Sequence, residues 1–210
     1  MLFPSRLLFT VTADCPYVEE PLASAPGEWP GALLPPLGEL DGEQNFARVC
    51  TAWNEHGLYV AAEVPKRGAI VGNRQRPASG DGLQIWLNTD PGESDWRANE
   101  HCYHFIILPR VPGREAPLAW QEPIRRARGR APLCDPADIQ VSVAREEGLY
   151  RVVVALSARR CLRFAPGPDA ELGFEYLIHD TTAGRQLWSS PLPAPYATNP
   201  SYWGRLRLVR

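Results

Sequence analysis

With 210 residues, 44% of them hydrophobic and 22% charged, the chain is long enough to bury one sizeable core and has the composition of an ordinary globule. A formal net charge of −2 excludes a strongly basic nucleic-acid surface or a polybasic membrane patch, and no apolar run approaches the ~18 residues of a spanning helix. The 22 prolines are about twice the usual ~5% share and fall in clusters, and Lys66 is the one lysine of the chain.

In chain order, the first segment resembles a secretion signal only superficially. Pro4 and Arg6 interrupt its apolar run, and Phe9 and Val11 alternate with Thr10 and Thr12 as in a strand, so a cytoplasmic location is expected. A helical turn is expected between Trp29 and Leu34. Residues 47–53 and 58–64 alternate as two strands, and Asn54-Glu55-His56-Gly57 joins them as a hairpin. Strands follow at Gly82–Asn88 and His101–Leu108. A second hairpin pairs Ile139–Arg145 with Leu149–Leu156 across Glu146-Glu147-Gly148, and a second helical turn is expected from Ser157 to Leu162. The last strands are Leu172–Ile178 and Trp203–Val209.

Many short strands with turn signals between them predict an all-β fold, an antiparallel two-sheet β-sandwich of roughly ten strands with little helix. The architecture expected is jelly-roll-like, with one domain over residues 1–210. The Pro-rich stretches 16–38, 109–136 and 191–200 become long loops at its ends, and loops of that length are usually functional or disordered.

The five cysteines are an odd number without a CxxC spacing, which fits buried free thiols in a reducing compartment better than a disulfide framework or a zinc ribbon. In the strand ending at Asn88, Leu83, Ile85 and Leu87 make an aliphatic face, and Gln84, Trp86 and Asn88 make an amide–aromatic–amide face. Such a face suits a sugar, whose ring stacks on apolar C–H groups while amides bond its hydroxyls. It equally suits a second packed layer with Trp86 at its centre. His101 and His104 point to opposite faces of their strand and cannot easily share a metal; Cys102 and His104 share a face but make an incomplete site. Met1 is the only methionine, which sets aside Met/His haem ligation.

No nucleophile elbow, phosphate loop or helical zinc motif occurs. Asp81, Asp95, Glu100, Glu175 and Asp180 are the acids that a glycosidase-type pair would draw on, and none stands out. From Trp188 to Trp203 a Pro-rich loop carries four aromatics. Trp188 and Trp203 are expected to pin it to the sandwich, leaving Tyr196 as the freer ring.

Taken together, these stretches resemble the family 9 carbohydrate-binding modules and the wider DOMON-like β-sandwich group, including a bacterial subgroup with the same D-G-L-Q-x-W strand. The likeness runs over residues 46–209. It is carried by Val49 to Val60 (V-x-x-x-W-x-x-x-x-L-Y-V), Gly80 to Asn88, Gly173 to Asp180, and Trp188-Ser189 followed by Trp203-Gly204-Arg205-Leu206-Arg207-Leu208. The resemblance implies a terminal sugar held between two tryptophans, with an acid and an arginine as polar contacts. Position by position, the acid falls on Gln84, the arginine on or near His104, and one tryptophan on Tyr196. The other falls near Ala78 or Ser79, where this chain has no aromatic. It also implies structural calcium, for which Asp41 and Asp180 are the candidate ligands, and no other cofactor.

The function expected is therefore a non-catalytic carbohydrate-binding domain. Its ligand, a mono- or oligosaccharide, would meet Gln84, Trp86, Asn88 and His104, with Tyr196 stacking and Trp96 of the neighbouring loop compensating for the missing ring. The alternative is a structural or protein-interaction sandwich that has lost the sugar site, with its protein partner unspecified by the sequence. A polysaccharide hydrolase or lyase ranks third. No nucleic-acid or membrane partner is expected.

Overall fold

The computed structural model describes residues 4–21, 29, 31–92, 96–192 and 194–210. Asp95 and the first three residues of the N-terminal stretch lie outside them. The described residues form twelve strands: β1 (Thr12–Pro16), β2 (Ala32–Leu33), β3 (Arg48–Asn54), β4 (Gly57–Pro65), β5 (Gly82–Asn88), β6 (Cys102–Leu108), β7 (Leu118–Gln121), β8 (Ile139–Glu146), β9 (Leu149–Ser157), β10 (Glu171–Asp180), β11 (Gly184–Leu187) and β12 (Gly204–Val209).

Two sheets stack face to face. One runs β1-β12-β10-β5-β6-β7, with β11 also paired to β10; the other runs β2-β3-β4-β9-β8. Both expected hairpins form. In the first, the Asn54 side chain accepts a hydrogen bond from the His56 N–H at 2.9 Å and so shapes the turn. In the second, Gly148 takes a left-handed φ of 80° that a side chain would resist. The pairing is antiparallel except between β1 and β12, which run parallel, a departure from the wholly antiparallel sandwich expected.

Alternation on β5 does what its pattern dictates. Leu83, Ile85 and Leu87 enter the inter-sheet core with Phe105 and Ile107 of β6 and Phe174 and Ile178 of β10, facing Val60, Val152, Val154 and Leu156. Trp86 points the other way, into a smaller apolar layer with Cys102, Leu177, Leu187 and Trp203. At 2% exposure it is the centre of a second packed layer rather than an open stacking platform.

Several local expectations are corrected. The turn placed between Trp29 and Leu34 is instead the short strand β2, whose backbone pairs with Thr51 and Cys50. The N-terminal alternation begins later, at Thr12. Ser5–Leu7 form a short 3₁₀ turn because the buried Arg6 pairs with Asp41 at 2.6 Å and with Glu43 at 2.5 Å. The helical turn expected after β9 does form, as a single π-helical turn, Ala158–Leu162. Two strands were not expected: β7, inside the stretch 109–136 read as loop, and β11, in a segment to which no element was assigned.

Candidate functional site

Outside the core, the face of β5 and β6 forms the floor of a cleft of about 370 Å³. Cross-strand register sets Trp86 opposite His104, and their rings stack with centroids 4.4 Å apart and planes within 6°. One step along β5, Gln84 Oε1 lies 2.9 Å from His104 Nε2. Burial drives the imidazole down to about 3, so the ring is neutral at ordinary pH. It donates its Nε2 proton to Gln84, and the Gln84 amide N–H pair then has no hydrogen-bond partner among the described residues.

The cleft wall is Tyr196, which stands edge-on to Trp86 at 5.3 Å and is half-buried. Its loop is held from below by a buried acid. Glu175 accepts hydrogen bonds from the Trp188 N–H at 2.8 Å, the Ser190 N–H at 2.7 Å and the Ser189 hydroxyl at 2.7 Å. At the far end of the loop, Trp203 Nε1 donates to the Tyr196 carbonyl at 2.7 Å. Trp188 and Trp203 are both buried and fasten the loop, leaving the Tyr196 ring at the cleft.

The cleft is also lined by Pro77, Ala78, Glu122 and Arg125. Glu122 follows directly on β7, and its N–H donates to the His104 carbonyl at 2.8 Å. Neither Glu122 nor Arg125 forms an ion pair among the described residues, so a carboxylate and a guanidinium stand open at the rim of a neutral floor. The cleft thus offers hydrogen-bond donors in the Gln84 amide and Arg125 and an acceptor in Glu122, the kinds of group that a polyhydroxylated ring would use.

No protein-family model matches the chain, and no curated protein matches it. Solved structures do. A family 9 carbohydrate-binding module from Caldicellulosiruptor kristjanssonii, solved in complex with cellotriose, aligns with a TM-score of 0.68 at 16% identity, covering 94% of this chain and 93% of that one. A structure of such a module from the same organism in complex with glucose gives the same score and identity over 95% and 96% of the two chains. A protein from Bacteroides uniformis aligns at 13% identity with a TM-score of 0.58, covering 95% of this chain and all of that one. The fold is CBM9-like.

On this CBM9-like fold, four of the six expected contact residues, Gln84, Trp86, His104 and Tyr196, converge on one cleft. Trp86, 2% exposed, supports the floor from beneath. Of the two positions expected to lack a clamp aromatic, Ala78 and Ser79, Ala78 borders the same cleft, beside Pro77. Asn88 and Trp96 are not brought there. Asn88 is buried at the end of β5, where its side-chain Oδ1 accepts from the Asp90 N–H at 3.0 Å and the residue borders a separate hollow beside Gly173 and Arg205. Trp96 is 68% exposed and lines a cleft with Phe9 and Tyr202 on the other side of the 188–203 loop. Glu122 and Arg125 were missed, because both follow a four-residue strand inside a Pro-rich stretch read as loop.

The calcium expectation does not fit the side chains present. Asp41 is taken up by Arg6, and Asp180 accepts the Lys66 ammonium at 2.8 Å together with the N–H groups of Thr182 and Ala183. The two acids belong to separate clusters, and among the described residues no group of three or more His, Cys, Asp and Glu could hold an ion. Nor do three of the candidate catalytic acids, Asp81, Glu175 and Asp180, face each other across a cleft. Asp81 and Asp180 share Lys66, and Glu175 is wholly buried under its loop.

Proposed function

We propose that this chain is a carbohydrate-binding domain with no catalytic activity of its own, which holds a sugar ring in the cleft between Tyr196 and Pro77–Ala78. One observation carries the reading: a neutral Gln84–His104 pair with an open amide lies beside a half-buried aromatic ring in a cleft of small-ligand size. The structural neighbours solved with glucose and cellotriose support it. The sugar's apolar face lies against Tyr196, the Gln84 amide donates to one hydroxyl, and Glu122 and Arg125 bracket others. With one stacked ring, worth ~0.5–1.5 kcal/mol beyond area burial, affinity for a single sugar is modest.

A second reading has its own observation. Leu8, Phe9 and Trp96, at 75%, 49% and 68% exposure, surround a separate cleft of about 460 Å³, and exposed apolar side chains gathered in one place suit a protein partner.

A glycan array probed with the purified domain, and with Tyr196→Ala and Gln84→Ala, separates the two. Binding by the parent that falls about three- to tenfold in each variant is the expected result, that being the effect of one stack or one hydrogen bond. Silence across the array from well-folded protein overturns the sugar reading.

A further inference from the structure

The cleft does not end at Glu122. A second hollow of about 490 Å³ lies along the edge strand β7 and shares Pro77 and Glu122 with the first. Strand register accounts for the continuity. Gln84 is paired with Ile106 and Ile106 with Trp120, so the three form one row across β5, β6 and β7 on the same face. That row spans two strand spacings, and with Trp86 two residues further along β5 the backbone positions of Trp86 and Trp120 are about 12 Å apart.

Trp120 is half-buried, so the sheet holds one part of its indole and leaves another part at the hollow. No aromatic ring stacks on it among the described residues. Arg74 and Gln75 flank it from an exposed loop whose shape is fixed: Asn73 Oδ1 accepts the Gln75 and Arg76 N–H groups, both at 3.0 Å. An aromatic face with a guanidinium and an amide beside it repeats the chemistry of the first hollow.

We propose that the two hollows form one groove for a linear oligosaccharide longer than a disaccharide, with one ring against Tyr196 and another on the face of Trp120. This rests on the sugar-binding reading above and adds the length of the ligand to it. Glu122, common to both hollows, accepts hydroxyls of the units between the two rings.

The experiment is calorimetric titration of matched monosaccharides and trisaccharides of the β-1,4-linked gluco, xylo and manno series into the parent protein, Trp120→Ala, Trp120→Phe and Arg74→Ala. The parent is expected to bind one trisaccharide about three- to tenfold more tightly than its monosaccharide, the gain from one further stacked ring. Trp120→Ala removes that gain, Trp120→Phe keeps most of it, and Arg74→Ala, which leaves the sheet untouched, reduces it. Equal affinity of the parent for both lengths, or a gain that survives Trp120→Ala, overturns the extended groove while sugar binding stands. No binding of any sugar by the folded parent overturns both.

Discussion

Asp81 and Gln84 stand three residues apart in the chain, yet they anchor buried polar clusters of opposite kinds. Asp81 belongs to a charged one. The Lys66 ammonium, its side chain 4% exposed, lies 2.9 Å from Asp81 and 2.8 Å from Asp180, with the Thr181 hydroxyl at 2.9 Å. The remaining carboxylate oxygens accept from the N–H groups of Val71, Thr182 and Ala183. Gln84 belongs to a neutral cluster in which His104 satisfies one amide oxygen and the amide nitrogen is left open at a cleft. A buried charge is tolerable only when its partners are all in place, and such a cluster has no capacity left for a ligand. A neutral pair costs less to keep incomplete, and its open group is what a hydroxyl can use. The charged cluster ties β5 and β10 to the segment after β4; in the function proposed above, the neutral one is the part that meets the ligand.

The largest break in this contrast is Lys66→Ala. It leaves two buried carboxylates facing each other without a cation, and a loss of about 3 kcal/mol in urea unfolding is expected, as for other buried pairs stripped of one partner. A loss below about 1 kcal/mol would mean that water replaces the ammonium and the cluster is not closed.

The two clusters also separate in pH. Burial alone would raise the Asp81 carboxyl, but the Thr181 and Val71 N–H groups and Lys66 outweigh it and hold it below the ordinary value. Its contribution is present above about pH 3.9 and is lost as pH falls through the lowered value. Burial alone would lower Lys66, and its two aspartates win and raise it, so its contribution is lost only as pH rises above about 10.4. His104 behaves differently. Burial holds its folded form down at about 3 against about 6.5 unfolded, so stability is complete above pH 6.5 and declines as acid protonates the unfolded chain. His104 as a whole is only half-buried, so the decline is discounted to about 1–2 kcal/mol by pH 4.5. Urea midpoints measured from pH 8 to pH 4.5 should fall in the parent and fall less in His104→Leu. Parallel profiles would place the acid sensitivity elsewhere.

How far these clusters were legible in the sequence follows from how each is built. The face of β5 is local, since alternation of seven residues fixes which side chains share a side, and so Gln84 and Trp86 could be read directly. Tyr196 was readable as the freer ring of a Pro-rich loop and His104 by its strand face; a resemblance, whose fold the solved structures bear out, joined them to β5. The Lys66 cluster was invisible, because its partners are 15 and 114 residues away and no periodicity links them. Strand β7 was hidden for a different reason. It has four residues between Pro117 and Pro123, too few for a pattern and in a composition that reads as loop, and Trp120, Glu122 and Arg125 were lost with it. Asn88 marks the limit of face arguments: it shares the side of Gln84, but alternation does not say how far along a strand a cleft extends.

Trp96 sharpens the comparison with the smallest expected effect. It is the most exposed tryptophan with a described position, beside Phe9 and Tyr202 in a cleft that the 188–203 loop separates from the Gln84–His104 floor. A ring that is 68% exposed loses little packing on truncation, so Trp96→Ala should alter unfolding stability by no more than about 0.5 kcal/mol. If recognition depends on an open amide beside a fixed ring, Trp96 supplies neither, since no Asn or Gln lines its cleft among the described residues. Glycan affinity should then match the parent's in a titration where Tyr196→Ala falls severalfold. A drop equal to that of Tyr196→Ala would move the sugar across the loop, and the open Gln84 amide would lose its meaning as the mark of the site.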